Sequence, residues 1–238
     1  MGLKDELKTK INDILNVTWS IRDGQVIPNT EDVGLSDGAV RLEAVYLYAD
    51  LANSTSLARD FDRRDAARVV RSYLHTMSRL ITTHSGAIRS FDGDRVMGIF
   101  IGDSKRSNAA KCALKMNYAF GQLLRPAVET KFPGLKSGGY TLEHTAGLDI
   151  GEVLLVRGGV RGSNDLVSIG AAPNVAAKLS DIREAPFRTY ITKSVYDRLS
   201  EETKMGGDPK RDMWEARSIA IKGKATPIYR SSFRWTVT

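Results

Sequence analysis

Two aspartates in this 238-residue chain stand where a carboxylate is chemically useful. Asp50 closes the apolar run YLYAD and is followed by LANST, while Asp94 opens the run DRVMGIF just after Asp92-Gly93. Carboxylates at strand ends beside tight turns can share divalent ions, and Mg2+ or Mn2+ needs only one or two of them when water and phosphate oxygens complete the shell. Asp50 and Asp94 are therefore a two-metal candidate, although the same residues also suit plainer duties, a helix cap and part of an Asp-Gly turn. After Asp50, the residues Asn53, Ser54 and Thr55 offer hydroxyls and backbone N–H groups at a helix start, where the positive helix end favours phosphate. No Gly-Lys-Ser/Thr loop accompanies them, so this is not a Walker-type site.

The elements that must hold these residues follow from periodicity and punctuation. The first core strand covers 41–50, and helical territory runs from 53 to a stop at Gly86. A hairpin follows, with Asp92-Gly93 as a type I′ turn between AIRSF and DRVMGIFIG, a turn that needs positive φ at both central residues. A second helical stretch covers 107–132, and a strand covers 140–160. The Gly-rich RGGVRGSND reads as a loop before the short strand LVSIG, and AAPNVAAKLSDIR reads as a helix with Pro173 in its first turn. A strand feeding a helix and closing strands around a Lys-Gly-Lys turn complete the chain. With a leading helix over 3–18 and no repeat or low-complexity linker, the organisation is an N-terminal helix and extension over 1–40 and one domain over 41–238.

Composition narrows the class. The charge of +7 comes from lysines and arginines scattered among acids, with no basic arm, so a nucleic-acid partner is not expected. A single cysteine, Cys112, rules out an internal disulfide framework and a multi-cysteine metal site, which suits a reducing cytoplasm. The start, MGLKDELKTKINDIL, is amphipathic and charged rather than a signal peptide or a span, so membrane insertion is not expected. His75, His84 and His144 lack metal-ligand spacing.

Taken in order, YADLANST, FDGDRVMGIF, AGLDIGEVLLVRGGVRG, IGAAPNVAAKL and IKGKATPIYR resemble the class III nucleotidyl cyclase family over roughly residues 41–232. The resemblance implies an α/β fold of the α+β sandwich kind, with a mixed, mostly antiparallel sheet and flanking helices. It also implies a homodimer with active sites at the interface and a nucleoside triphosphate substrate. Asp50 and Asp94 would hold two divalent metal ions, Mn2+ or Mg2+, with the Leu51 carbonyl as a further ligand. Asn174, contributed across the interface, would orient the ribose. Lys178 stands where the family places a transition-state arginine, keeping the charge but losing the planar fork. Lys222, or Lys224 beyond the same glycine, would contact phosphate.

The base-reading positions depart from the adenylate cyclase pattern. A lysine is usual four residues before the second aspartate, where this chain has Ser90; an Asp, Thr or Ser is usual three residues before the helix-leading glycine, where it has Val167. A purine-reading pair is therefore missing. With LKDELK, RDGQVIP, YLHTMSRLI, VRGSNDLVSIGAAPNVAAKL and YRSSFRW, the chain resembles the pyrimidine cyclases of bacterial Pycsar anti-phage systems. That resemblance implies conversion of UTP, favoured over CTP, into a 3′,5′-cyclic nucleotide and pyrophosphate, the product being read by a separate cyclic-nucleotide-binding effector. Tyr48, two residues before Asp50 and so on the same strand face, is the candidate for touching the smaller base. The alternatives are a cytidylate cyclase, an adenylate cyclase whose base pocket is relocated to Arg89 or Ser168, and a nucleotide-binding module without turnover.

Overall fold

The apolar run that ends on Asp50 is a central strand of a sheet. The computed structural model describes residues 2–221 and 223–237, and it divides into a larger unit, residues 44–151 and 172–238, and a smaller one, residues 1–43 and 152–171. The strands are β1 (Ser20–Asp23), β2 (Gly38–Leu51), β3 (Ala87–Asp92), β4 (Arg95–Phe100), β5 (His144–Val160), β6 (Ser163–Ile169) and β7 (Thr189–Thr192), then β8 (Met205–Gly206), β9 (Arg211–Asp212), β10 (Glu215–Ile221) and β11 (Lys224–Ser231). In the larger unit the sheet order is β10-β11-β7-β5-β2-β4-β3. β7 pairs with β5 in parallel, whereas the β10–β11, β11–β7, β2–β4 and β4–β3 pairs are antiparallel, giving the mixed and mostly antiparallel sheet expected.

The helices are α1 (Leu3–Leu15), α2 (Ser54–Asp60), α3 (Arg63–Thr83), α4 (Lys105–Tyr118), α5 (Arg125–Lys131), α6 (Pro133–Ser137) and α7 (Ala171–Ser180), with two four-residue helices further on. Side chains alternate across a strand, and this fixes which helix covers which face. Val45, Leu47, Ala49 and Leu51 of β2 bury into a core with Val69, Tyr73 and Met77 of α3 and Ala113, Leu114 and Met116 of α4. Ile191 joins this core, while its neighbour Tyr190 packs with Ile228 and with Leu179 of α7 in a second cluster. The two clusters therefore lie on opposite faces, α3 and α4 on one and α7 on the other. Tyr46, Tyr48 and Asp50 fall on the α7 face. Gly147 of β5 lets α7 approach that face closely: a Cβ there would lie 2.3 Å from the Ala176 carbonyl oxygen and 2.4 Å from the Ser180 nitrogen.

Three segments differ from the sequence reading. The helical territory after Asp50 is broken at Phe61-Asp62, because the Asp62 carboxylate accepts from the backbone N–H groups of Arg64 (2.9 Å) and Asp65 (3.3 Å) and starts α3 afresh. The stretch 107–132 opens into a π turn over Ala119–Leu124 before α5, whose first turn carries Pro126 where a missing N–H is tolerated. The expected Gly-rich loop is instead the end of a hairpin, in which β5 and β6 stay paired from Leu154↔Ile169 to Val160↔Ser163. Each strand satisfies the other's backbone there, and Asn164 Nδ2 donates to the Val160 carbonyl at 2.9 Å.

In the smaller unit β1 runs parallel to the first residues of β2, from Ser20↔Gly38 to Asp23↔Arg41. α1 buries no residue, and Leu3, Leu7, Ile11, Ile14 and Leu15 are all exposed. Among the described residues no helix is long and apolar enough to cross a membrane.

Candidate active site

The register of three strands sets the site. Asp50 of β2 lies opposite Arg95 of β4, which lies opposite Asp92 of β3; one row behind, Tyr48, Met97 and Ser90 are aligned in the same way. Directly opposed residues share a sheet face, so both rows stand on the α7 face. Ser90 reaches it only because the β3–β4 register shifts between Ile88 and Ser90, the extra residue being Arg89. Asp94 sits in the β3–β4 turn itself. The two-residue loop is Gly93–Asp94, and Gly93 (φ +60°) is its one positive-φ residue. The turn thus has glycine at the first central position, as a type II′ turn requires, rather than the expected type I′ at Asp92-Gly93.

Asp50 is 7 % exposed, and its charge is met from two sides. Oδ1 accepts from Arg95 Nε at 3.0 Å, and Oδ2 accepts from Arg183 Nη2. Arg95 Nη2 reaches on to Asp181 Oδ1 at 2.5 Å, so Asp181, Arg95, Asp50 and Arg183 form a chain of alternating charge. Burial, followed by the Asp50 charge, raises the Asp94 carboxyl above its ordinary value, against a hydrogen bond from Ser54 that lowers it. The Tyr73 hydroxyl is fully buried with no hydrogen-bond partner among the described residues, and burial and the charges of Asp50 and Asp94 hold it well above its usual range. Tyr140 donates to the Ala52 carbonyl at 3.0 Å, fixing the chain just past Leu51.

These groups suit a hard cation. Two carboxylates converge, one disfavoured in its charged form by burial and then by its neighbour's charge, the other already met by two positive partners. Among the described residues no three His, Cys, Asp or Glu side chains cluster, so the donor set fits an ion completed by water and phosphate oxygens, not a closed zinc site.

The other expected residues are placed as follows. Leu51 ends β2 and is buried; Asn53, at φ +60°, precedes α2 and is exposed. Ser54 is bonded to Asp94, and Thr55 is exposed. α2 has seven residues, a short dipole for anchoring phosphate. Asn174 and Lys178 are both exposed on one face of α7, four residues apart. Tyr48 is half-buried, and its hydroxyl is raised by burial, with Arg95 opposing and Asp92 assisting. Val167 lies on β6 of the smaller unit, opposite Val156, and is exposed. Lys222 lies outside the described residues, and Lys224 starts β11. Cys112 is buried in the core.

Sequence reasoning missed Arg95, Met97, Asp181 and Arg183. Arg95 was legible in principle, since a residue adjoining Asp94 and opposite Asp50 must share their site. Asp181 and Arg183 carry no local signal, because only the path of the chain after α7 brings them to Asp50.

Comparison with known proteins supplies the family. The chain is 46% identical over 233 residues to a uridylate cyclase of Rhodovulum sp. (strain MB263), covering 98% of this chain and 97% of that one. A uridylate cyclase of Xanthomonas perforans is 35% identical over 238 residues, covering 100% of both chains. The chain belongs to the uridylate cyclase family. No family model matches it. Among solved structures, a bacterial light-regulated adenylyl cyclase superposes with a TM-score of 0.69 at 22% identity, covering 84% of this chain and 54% of that one. The guanylyl cyclase Cya2 superposes with a TM-score of 0.63 at 21% identity, covering 82% and 94%. The fold of this uridylate cyclase family member is thus the one shared by adenylyl and guanylyl cyclases, and it is a nucleotidyl cyclase.

Proposed function

We propose that the chain converts UTP into 3′,5′-cyclic UMP and pyrophosphate. The observation that carries this reading is the placement of Asp50 and Asp94 at one end of the sheet, with Tyr48, Met97 and Ser90 one row behind on the same face, in a near full-length relative of uridylate cyclases. In the reaction the ribose 3′-oxygen forms a bond to the α-phosphorus, the bond from that phosphorus to the bridging oxygen breaks, and pyrophosphate leaves. The hydroxyl proton passes to solvent.

Asp50 and Asp94, with the Leu51 carbonyl, hold two divalent ions, Mn2+ or Mg2+; when bound, such ions lower the pKa of the 3′-hydroxyl and offset phosphate charge. Asn53, Ser54, Thr55 and Lys222 border the triphosphate. Asn174 orients the ribose and Lys178 offsets charge on the phosphoryl group, both supplied by a second copy of the chain in a homodimer. Both are exposed on one face of α7, and the exposed apolar side chains of the smaller unit supply surface for that copy. Tyr48 offers its ring to the uracil and Ser90 a hydroxyl, while Val167 cannot accept an adenine amino group. The product serves as a second messenger for a separate cyclic-nucleotide-binding effector in anti-phage defence, in the cytoplasm.

The test is purified protein with Mn2+ and each of ATP, GTP, CTP and UTP, the products identified by mass. Cyclic UMP is the expected dominant product. Dominant cyclic CMP or cyclic AMP would overturn the base assignment while leaving the metal pair standing.

A further inference from the structure

We propose that Arg183 is a two-position residue of this site, neutralising Asp50 when no metal is bound and becoming a ligand of the triphosphate once metal takes that carboxylate. The proposal rests on the reading that Asp50 and Asp94 hold metal.

The two arginines on Asp50 are not equivalent. Arg95 stands on β4 directly opposite Asp50 and has a second anionic partner, Asp181, at 2.5 Å. Losing Asp50 to a cation leaves it a counter-charge. Arg183 lies beyond α7, outside any strand, and among the described residues Asp50 is the one carboxylate it bonds; its Nη1 donates instead to the carbonyls of Ser180 (2.5 Å) and Ile182 (3.1 Å). Its side chain is 27% exposed, so it has room to turn. A dication on Asp50 takes the carboxylate that Arg183 neutralises and repels the guanidinium. The phosphate oxygens that complete the metal shell then offer it an anionic partner. A guanidinium binds phosphate through two parallel N–H donors, and the Nη1 anchors on the chain after α7 keep it within reach while Nη2 turns away from Asp50.

The arrangement predicts effects of opposite sign, which a merely structural role would not give. The probes are Mn2+ alone, followed by the paramagnetic signal of free Mn2+, and inorganic tripolyphosphate at saturating Mn2+, followed by titration calorimetry. For Arg183→Gln, Mn2+ alone should bind about tenfold tighter and tripolyphosphate about tenfold weaker, the scale of one charge-assisted bond. Arg183→Lys should keep Mn2+ affinity near the parent value and restore part of the tripolyphosphate affinity. If both affinities move in the same direction in Arg183→Gln, or neither moves, the proposal is overturned. Asp50→Asn separates the two levels: Mn2+ affinity equal to the parent's would overturn the metal reading itself, whereas a clear loss with no tightening in Arg183→Gln would overturn only the role of Arg183.

Discussion

Asp50 and Arg95 are direct cross-strand partners, joined at 3.0 Å between Oδ1 and Nε, and this contact makes a buried carboxylate tolerable at the end of an apolar strand. Arg183 satisfies the second oxygen. Asp50→Asn should abolish cyclic product and also leave two guanidiniums short of charge. Breaking a buried pair costs about 3–5 kcal/mol and an exposed one about 1 or less; with these guanidiniums 24% and 27% exposed, a loss on the order of 2 kcal/mol is expected. Mass detection of product and urea unfolding measure the two effects, and product at the parent rate would remove Asp50 from the site.

Tyr48 stands two residues behind Asp50, with Met97 and Ser90 beside it across the sheet. Tyr48→Ala should remove a ring that a single-ring base needs to rest on, raising KM for UTP about tenfold, an aromatic contact being worth about 1–3 kcal/mol per base. Tyr48→Phe, which keeps the ring, should lose less. Competition of UTP against ATP in one reaction gives the direct measure, and an unchanged preference in Tyr48→Ala would assign Tyr48 to packing alone.

Much of this was legible because local chemistry and strand period carry it. Asp50 ends an apolar alternation, Asp94 follows a turn glycine, and Asn174 and Lys178 are four apart on a helix, so their shared faces follow from spacing. Ser90 was harder to place. Its face depends on a one-residue register shift at Arg89, and such a shift inverts every side chain beyond it. The hairpin through RGGVRGSND was hidden because glycine and polar residues signal a loop unless an opposing strand supplies partners, which is a tertiary fact. Asp181 and Arg183 are tertiary facts in the same sense.

Gly147 predicts how tightly the two halves of the chemistry are spaced. Any Cβ there would strike backbone atoms of α7, at Ala176 and Ser180, which cannot swing aside as a flexible side chain would. Gly147→Ala should therefore push α7 off the sheet, costing about 3 kcal/mol and displacing Asn174, Lys178 and the approach of Arg183 together. Thermal melting and product formation should both fall. A variant that melts like the parent and retains full activity would show that α7 tolerates displacement.

His144 gives a pH signature independent of the metal pair. It is fully buried between Tyr73 and Phe120, with neither ring nitrogen hydrogen-bonded among the described residues. Burial, reinforced by the charges of Arg188, Arg183 and Arg125, lowers its pKa to about 3. The unfolded chain takes up a proton on this residue below about pH 6.5, and the folded chain does not. Its contribution is therefore complete above about pH 6.5 and is lost as pH falls toward 3, at a limiting slope of about 1.4 kcal/mol per pH unit. His144→Leu keeps an apolar side chain among the same rings and cannot take up the proton. Urea unfolding of both proteins between about pH 7.5 and 5, a range that enters the linkage window from above, should show the parent losing stability faster than the variant as pH falls. Parallel curves would mean that His144 is protonated equally in the folded and unfolded chains, and that water reaches it.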